Sequence, residues 1–89
     1  MGRSPTEKPA RLAGKLVQIR KSMGLSQAEM VRTLRLEKSL SREDISKYER
    51  GLRVPPLLTL LKYARVADVS MDVLVDDYIR LPQRFHSKT

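Results

Sequence analysis

The side chains in this sequence that can do chemistry are mostly cations, and they are unevenly distributed. Of 89 residues, 18 are Lys or Arg and 10 are Asp or Glu, a formal net charge of +8. Residues 11–53 hold eleven Lys and Arg against five acids, a balance of +6, whereas residues 54–79 hold two against four, a balance of −2. A basic surface in the first half attracts a polyanion, because counterions released from phosphates drive association. The same excess can also serve solubility alone. Covalent chemistry has much less to work with. His86 is the single histidine, and Asp76 and Asp77 would point to different faces of a helix. There is no cysteine, which excludes a disulfide, a thiol nucleophile and a zinc finger. No nucleophile–base set, metal cluster or phosphate-cradling glycine loop is present, so no enzyme activity, cofactor or small-molecule ligand is expected.

The elements that must position these cations read as short helices. Residues 1–10 contain two prolines and few large apolar groups, which suits a basic N-terminal arm. Within it Arg3 and Lys8, with Arg11 beside it, could follow a minor groove or do nothing. Leu12, Leu16, Ile19 and Met23 recur at intervals of four, three and four, which predicts a helix closed by Gly24. Ser26 and Glu29 form a capping box opening a second helix with Met30, Val31 and Leu34 inside. Ser41 and Asp44 open a third, with Ile45, Tyr48 and Leu52 as apolar positions and Gly51 as terminator. Pro55 and Pro56 suit the first turn of a fourth helix carrying Leu57, Leu60, Leu61 and Ala64. Asp68 suits the left-handed residue past its end, and Ser70 caps a fifth with Met71, Leu74, Val75 and Tyr78, stopped by Pro82. The expected fold is all-α with five helices, in one domain over residues 11–79 with a basic tail at 80–89. No apolar run approaches the roughly 20 residues needed to span a bilayer, and no signal-peptide stretch is seen, so a soluble cytoplasmic protein is expected.

Gly24-Leu25-Ser26-Gln27, then Ile45-Ser46-Lys47-Tyr48-Glu49-Arg50-Gly51, then Pro55 and Leu60-Leu61-Lys62-Tyr63-Ala64 occur in an order and spacing that resembles the Cro and lambda-repressor family of helix-turn-helix domains. The resemblance covers residues 12–78. It implies a compact five-helix lambda-repressor-like domain whose second and third helices form the motif, with the third lying in the major groove of double-stranded DNA. Arg42, Glu43, Ser46 and Lys47 would then meet base edges, with Ser41, at the start of that helix, among the DNA-binding residues. Gln27 and Arg53 would meet phosphates. Arg and Lys suit guanine O6 and N7, and Glu suits cytosine N4, so a G·C-containing site is implied. Glu43 has an equal alternative as a partner of the helix dipole, and Asp44 reads as a cap. Arg20 and Glu49 match a partly buried family salt bridge between the first and third helices. Tyr48 and Tyr63 match core positions.

Two departures stand out. Between Leu34 and Ser41 the chain is four residues longer than the usual glycine turn, so either the second helix extends through Arg35 and Leu36 or the connection is a longer loop. Arg35 and Lys38 there could touch phosphate or simply face solvent. Leu58, Val66 and Val73 are apolar where the pattern is usually polar, and Ile79, Leu81 and Phe85 follow in a small tail. A homodimer through Leu58, Val73, Ile79, Leu81 and Phe85 would cover them and pair two reading helices, unless the tail folds back on its own domain. The resemblance thus implies a sequence-specific transcriptional regulator, a repressor. The competing reading is a protein-interaction adaptor that kept the fold without reading DNA.

Overall fold

The computed structural model describes residues 9–82, so Phe85, His86, Arg3 and Lys8 lie outside the described residues. Five helices make up the fold and no strand occurs among the described residues: α1 (Leu12–Ser22), α2 (Gln27–Thr33), α3 (Arg42–Glu49), α4 (Leu57–Ala67) and α5 (Met71–Val75). The all-α fold expected from the sequence is therefore the one observed. α3 packs on α1 and α2, and α5 packs on α1 and α4. One core joins Leu12, Leu16 and Ile19 of α1 to Met30, Val31, Ile45, Tyr48, Leu60, Tyr63, Ala64 and Leu74. No helix is long and apolar enough to cross a membrane among the described residues.

Four of the helices end in the same way. After α1, the Gly24 N–H donates to the Lys21 carbonyl and the Leu25 N–H to the Arg20 carbonyl, with Gly24 at φ 70°. After α3, Gly51 at φ 74° and Leu52 bond back to Tyr48 and Lys47. Both are Schellman closures, which need a left-handed residue and therefore favour glycine. α2 and α4 close identically around Arg35 and Asp68, both at φ 59°. Asp tolerates that geometry, whereas arginine is strained there.

The left-handed Arg35 decides what the longer connection does. α2 is not extended, because the chain reverses at Arg35 and enters a separate turn in which Ser39 and Leu40 N–H groups bond to the Leu36 carbonyl. Leu36 and Leu40 pack against the core, while Arg35, Glu37, Lys38 and Ser39 face solvent.

Three local expectations change. Leu52 is 60% exposed, since the reversal at Gly51 turns it away from the core. Pro56 is the extended N-cap of α4 and lies before its first turn, so Leu57 points outward at 70% exposure and Thr59 joins the buried face instead. α5 stops at Val75, three residues before Tyr78, which is 97% exposed. The cause is tertiary. The buried ammonium of Lys15 on α1 donates to the carbonyls of Val73, Asp76 (3.0 Å) and Ile79 (2.7 Å). The Asp77 carboxylate accepts from the Ala10 and Arg11 N–H groups at 2.8 and 3.0 Å. A continued helix would turn these groups elsewhere, so the two clamps straighten the chain after Val75.

Candidate nucleic-acid interface

α2 and α3 are too short to hold themselves in place, at seven and eight residues. Caps and one polar node do it. Ser26 accepts from the Glu29 N–H at 3.1 Å, and the Glu29 carboxylate accepts from the Ser26 N–H at 2.7 Å, which completes the capping box read from the sequence. At α3 the Asp44 carboxylate accepts from the Ser41 N–H at 2.9 Å. These backbone bonds hold the Glu29 and Asp44 carboxyls below their usual range.

The node fixes α3 against the rest of the domain. Arg20 grips Glu49 with two parallel bonds, Nε to Oε2 at 2.7 Å and Nη2 to Oε1 at 3.0 Å, and its Nη1 donates to the Leu25 carbonyl at 2.8 Å. Gln27 Nε2 adds a bond to Glu49 Oε1 at 3.1 Å. The Glu49 side chain is 5% exposed and that of Arg20 14%, so both charges are largely removed from water. Such a pair fixes geometry more than it stabilises, since desolvation offsets the attraction. Breaking it would leave a charge buried without its partner, which costs about 3–5 kcal/mol. Gln27, which the resemblance set toward phosphate, thus also belongs to the node joining α1, α2 and α3.

Along α3 the remaining site residues divide by exposure. Ser41, Arg42, Glu43 and Lys47 face solvent, so residues 36–40 do not cover the amino end of the helix. Arg42 and Glu43 form a loose surface pair at 3.6 Å, worth little in water. The Glu43 carboxyl is held below its usual range chiefly by a backbone hydrogen bond, as a first-turn acid should be. Ser46 is half-buried, and its Oγ accepts from Arg50 Nε at 3.1 Å. Arg53 donates from Nη1 to Asp44 Oδ1 at 3.1 Å, and its guanidinium carbon lies 5.7 Å from the centroid of the Tyr48 ring. Its side chain remains 50% exposed. Lys47, Arg50 and Arg53 thereby flank the exposed turn of α3. Arg50 had no separate role in the sequence reading, although its place at the helix end just before Gly51 puts it beside Ser46.

Tyr48 and Tyr63 are buried, with hydroxyls that have no hydrogen-bond partner among the described residues. Burial pushes both phenols up, Tyr63 the further. The residues offered for a dimer separate. Leu58 and Ile79 are exposed, Val73 is half-buried, and Leu81 is half-buried and packs against the core. No cluster of His, Cys, Asp or Glu among the described residues could hold a metal ion.

The geometry has counterparts in known proteins. No curated protein sequence matches the chain. The P22 c2 repressor, solved in complex with synthetic operator 9T in the presence of Tl+, shares the fold at a TM-score of 0.64 and 23% identity, covering 74% of this chain and 94% of that one. The helix-turn-helix family profile matches residues 16–74. With that match spanning α1 to α5, the chain belongs to the Cro/C1-type helix-turn-helix family.

Proposed function

We propose that this protein is a transcriptional repressor that binds double-stranded DNA sequence-specifically, reading the major groove with α3. The family is one of DNA-binding regulator domains, and the P22 c2 relative is a repressor solved on an operator. The observation that carries the reading is the amino half of α3. Ser41, Arg42, Glu43 and Lys47 are exposed on a helix braced from behind by Arg20, Glu49 and Gln27. Arg42 and Lys47 suit guanine edges, and Glu43 suits the cytosine amino group. Ser41 and Ser46 add hydroxyls at the same face. Gln27 and Arg53 sit at its margins, where phosphates would run.

The functional unit is a homodimer in this proposal. A symmetric operator presents half-sites about 34 Å apart, which two copies of α3 must span. Exposed apolar residues support a second copy as partner: Leu52, Val54, Leu57 and Leu58 are exposed within a seven-residue stretch leading into α4, and Ile79 is exposed after α5. Exposed apolar surface of this kind is what association would cover.

Selection of duplexes from a random pool tests the whole reading. An enriched palindrome is expected. A pool with no enriched sequence, bound with a steep salt dependence, would reduce the protein to non-specific binding. Two variants then separate roles. Lys47→Ala should change base preference at one position in each half-site, whereas Arg53→Ala should weaken all duplexes alike. Equal losses on every duplex for Lys47→Ala would remove it from base reading.

A further inference from the structure

A cavity of about 590 Å³ opens on the side of α1 away from α3, lined by Ala10, Arg11, Gly14, Lys15, Gln18, Arg80 and Leu81. At roughly 100° per residue, Arg11, Gly14, Lys15 and Gln18 share one side of α1. Ala13 lies on the far side, where its Cβ is 3.8 Å from the position a Cβ would take on Gly51, next to the α3 end. Arg20, the α1 residue that joins the reading helix, is about 13 Å further along the axis than Arg11. The cavity is therefore separate from the proposed DNA face.

Its lining carries three cations, Arg11, Lys15 and Arg80, which outnumber the two carboxylates nearby, Asp76 and Asp77. Arg11 and Arg80 are exposed, and neither guanidinium makes a hydrogen bond or ion pair among the described residues. Asp77 accepts from the Ala10 and Arg11 N–H groups, and Asp76 Oδ1 accepts from the Tyr78 N–H at 2.9 Å; these neutral donors leave both charges in place, acting on Lys15 and, from Asp77, on Arg11. Lys15 contributes positive charge from the cavity wall while its donors bond to carbonyls. Gln18 offers an exposed amide on the same side.

Gly14 lines the same cavity. It sits inside α1, where glycine lowers helix stability relative to alanine. Neither backbone nor packing calls for it, since a Cβ there would meet nothing within 4 Å. Without a side chain it leaves the helix backbone open to the cavity that Arg11 and Arg80 also line. Guanidinium forks match carboxylate and phosphate oxygens in planar, paired geometry.

We propose that this cavity is a binding site for a small anionic molecule carrying carboxylate or phosphate groups, held by Arg11 and Arg80 over Gly14. The test uses the full chain with citrate, inorganic phosphate, a tetraglutamate peptide and sodium chloride at matched ionic strength, followed by titration calorimetry and amide NMR. Saturable binding of citrate or phosphate is expected, with shifts centred on Gly14, Gln18 and Arg80 and none from chloride. The R11Q/R80Q double variant, which alters only exposed side chains, should weaken binding at least about tenfold. Gly14→Leu should block it with every charge retained. Absence of saturable binding, or wild-type affinity in both variants, would overturn the proposal. Tighter binding of tetraglutamate than of citrate would overturn it in favour of an acidic protein surface. Operator selection by the double variant should match wild type, which keeps this test apart from the DNA reading.

Discussion

Replacing Lys15 with methionine isolates what the buried ammonium does, because methionine keeps most of the length and packing volume and removes only charge and donors. Lys15 is 5% exposed, and its ammonium bonds to three carbonyls in the segment that follows α5. A hydrogen bond to a charged group contributes about 1.5–3 kcal/mol with the exchange for water already counted. The three bonds share one ammonium and one desolvation cost of several kcal/mol, so they are not additive and the intact clamp gains less than three times that value. In Lys15→Met that desolvation cost disappears, but the carbonyls of Val73, Asp76 and Ile79 lose their partner. Water can reach some of them if the segment peels away, which limits the damage. A net loss of about 2–4 kcal/mol follows, corresponding to a fall in Tm on the order of 10–20 °C for a domain this small. Urea unfolding gives the free energy, and amide exchange shows where it is lost. Exchange should accelerate first at Tyr78 and Ile79, whose N–H groups bond to Asp76, while the core of α1 stays protected. A variant within about 0.5 kcal/mol of wild type, or more stable than it, would refute the reasoning by showing that packing alone seats the segment.

Other outcomes follow from single groups. Arg35→Gly relieves a left-handed arginine at φ 59° and should stabilise the domain by about 1 kcal/mol in urea unfolding, provided the Schellman closure of α2 is retained. Tyr63→Phe removes a buried hydroxyl without a partner among the described residues and should be neutral or stabilising, by up to about 1–3 kcal/mol in the same assay. Burial holds the Tyr63 phenol above its ordinary 10.0, so its contribution is full below pH 10.0 and is lost as pH rises through the folded-state value; the phenylalanine variant should show a flatter alkaline limb. The Asp77 carboxyl is held below its ordinary 3.8 by the Ala10 and Arg11 amides, so its contribution is present above that value and lost as pH falls below it; Asp77→Asn should flatten the acid limb of Tm against pH.

What the sequence made legible was local. The Ser26 and Glu29 box, the Ser41 and Asp44 cap, the Gly24 and Gly51 reversals and the left-handed Asp68 each follow from chemistry within a few residues. The Arg20–Glu49 contact spans 29 positions and was reachable only through the resemblance. Hidden from sequence were the features in which distant groups compete with local propensity. Lys15 falls on the same stripe as Leu12, Leu16 and Ile19, but a lysine there reads as a charge at the margin of a face until its carbonyl partners 58 to 64 positions away are known. The length of α5 was misread for the same reason, since the signal ending it sits on α1. Leu57 was assigned inward because leucine fits a helical period, yet the start of α4 after Pro56 rotates Thr59 into that place.

The same contrast explains how so small a domain can present a short helix rigidly. α3 has eight residues, and no helix of that length is stable in water by its own propensity. Its apolar side, Ile45 and Tyr48, anchors it to the core, but apolar contacts alone would tolerate small rotations about its axis. Glu49, held by both Arg20 and Gln27, removes that freedom at the carboxyl end. Asp44, bonded to the Ser41 amide and to Arg53, does the same one turn from the amino end. With the helix held by these two carboxylates, the Cα–Cβ directions of Arg42, Glu43, Ser46 and Lys47 are fixed, while the exposed tips of Arg42, Glu43 and Lys47 still move. Reading a base sequence depends on such directions, because a hydrogen bond to a base edge tolerates little displacement while a contact to a phosphate tolerates more. Removing both acceptors of Asp44 (Asp44→Ala) should therefore cost base discrimination before it costs affinity. That order of losses distinguishes a helix that must be aimed from one that only needs to be charged.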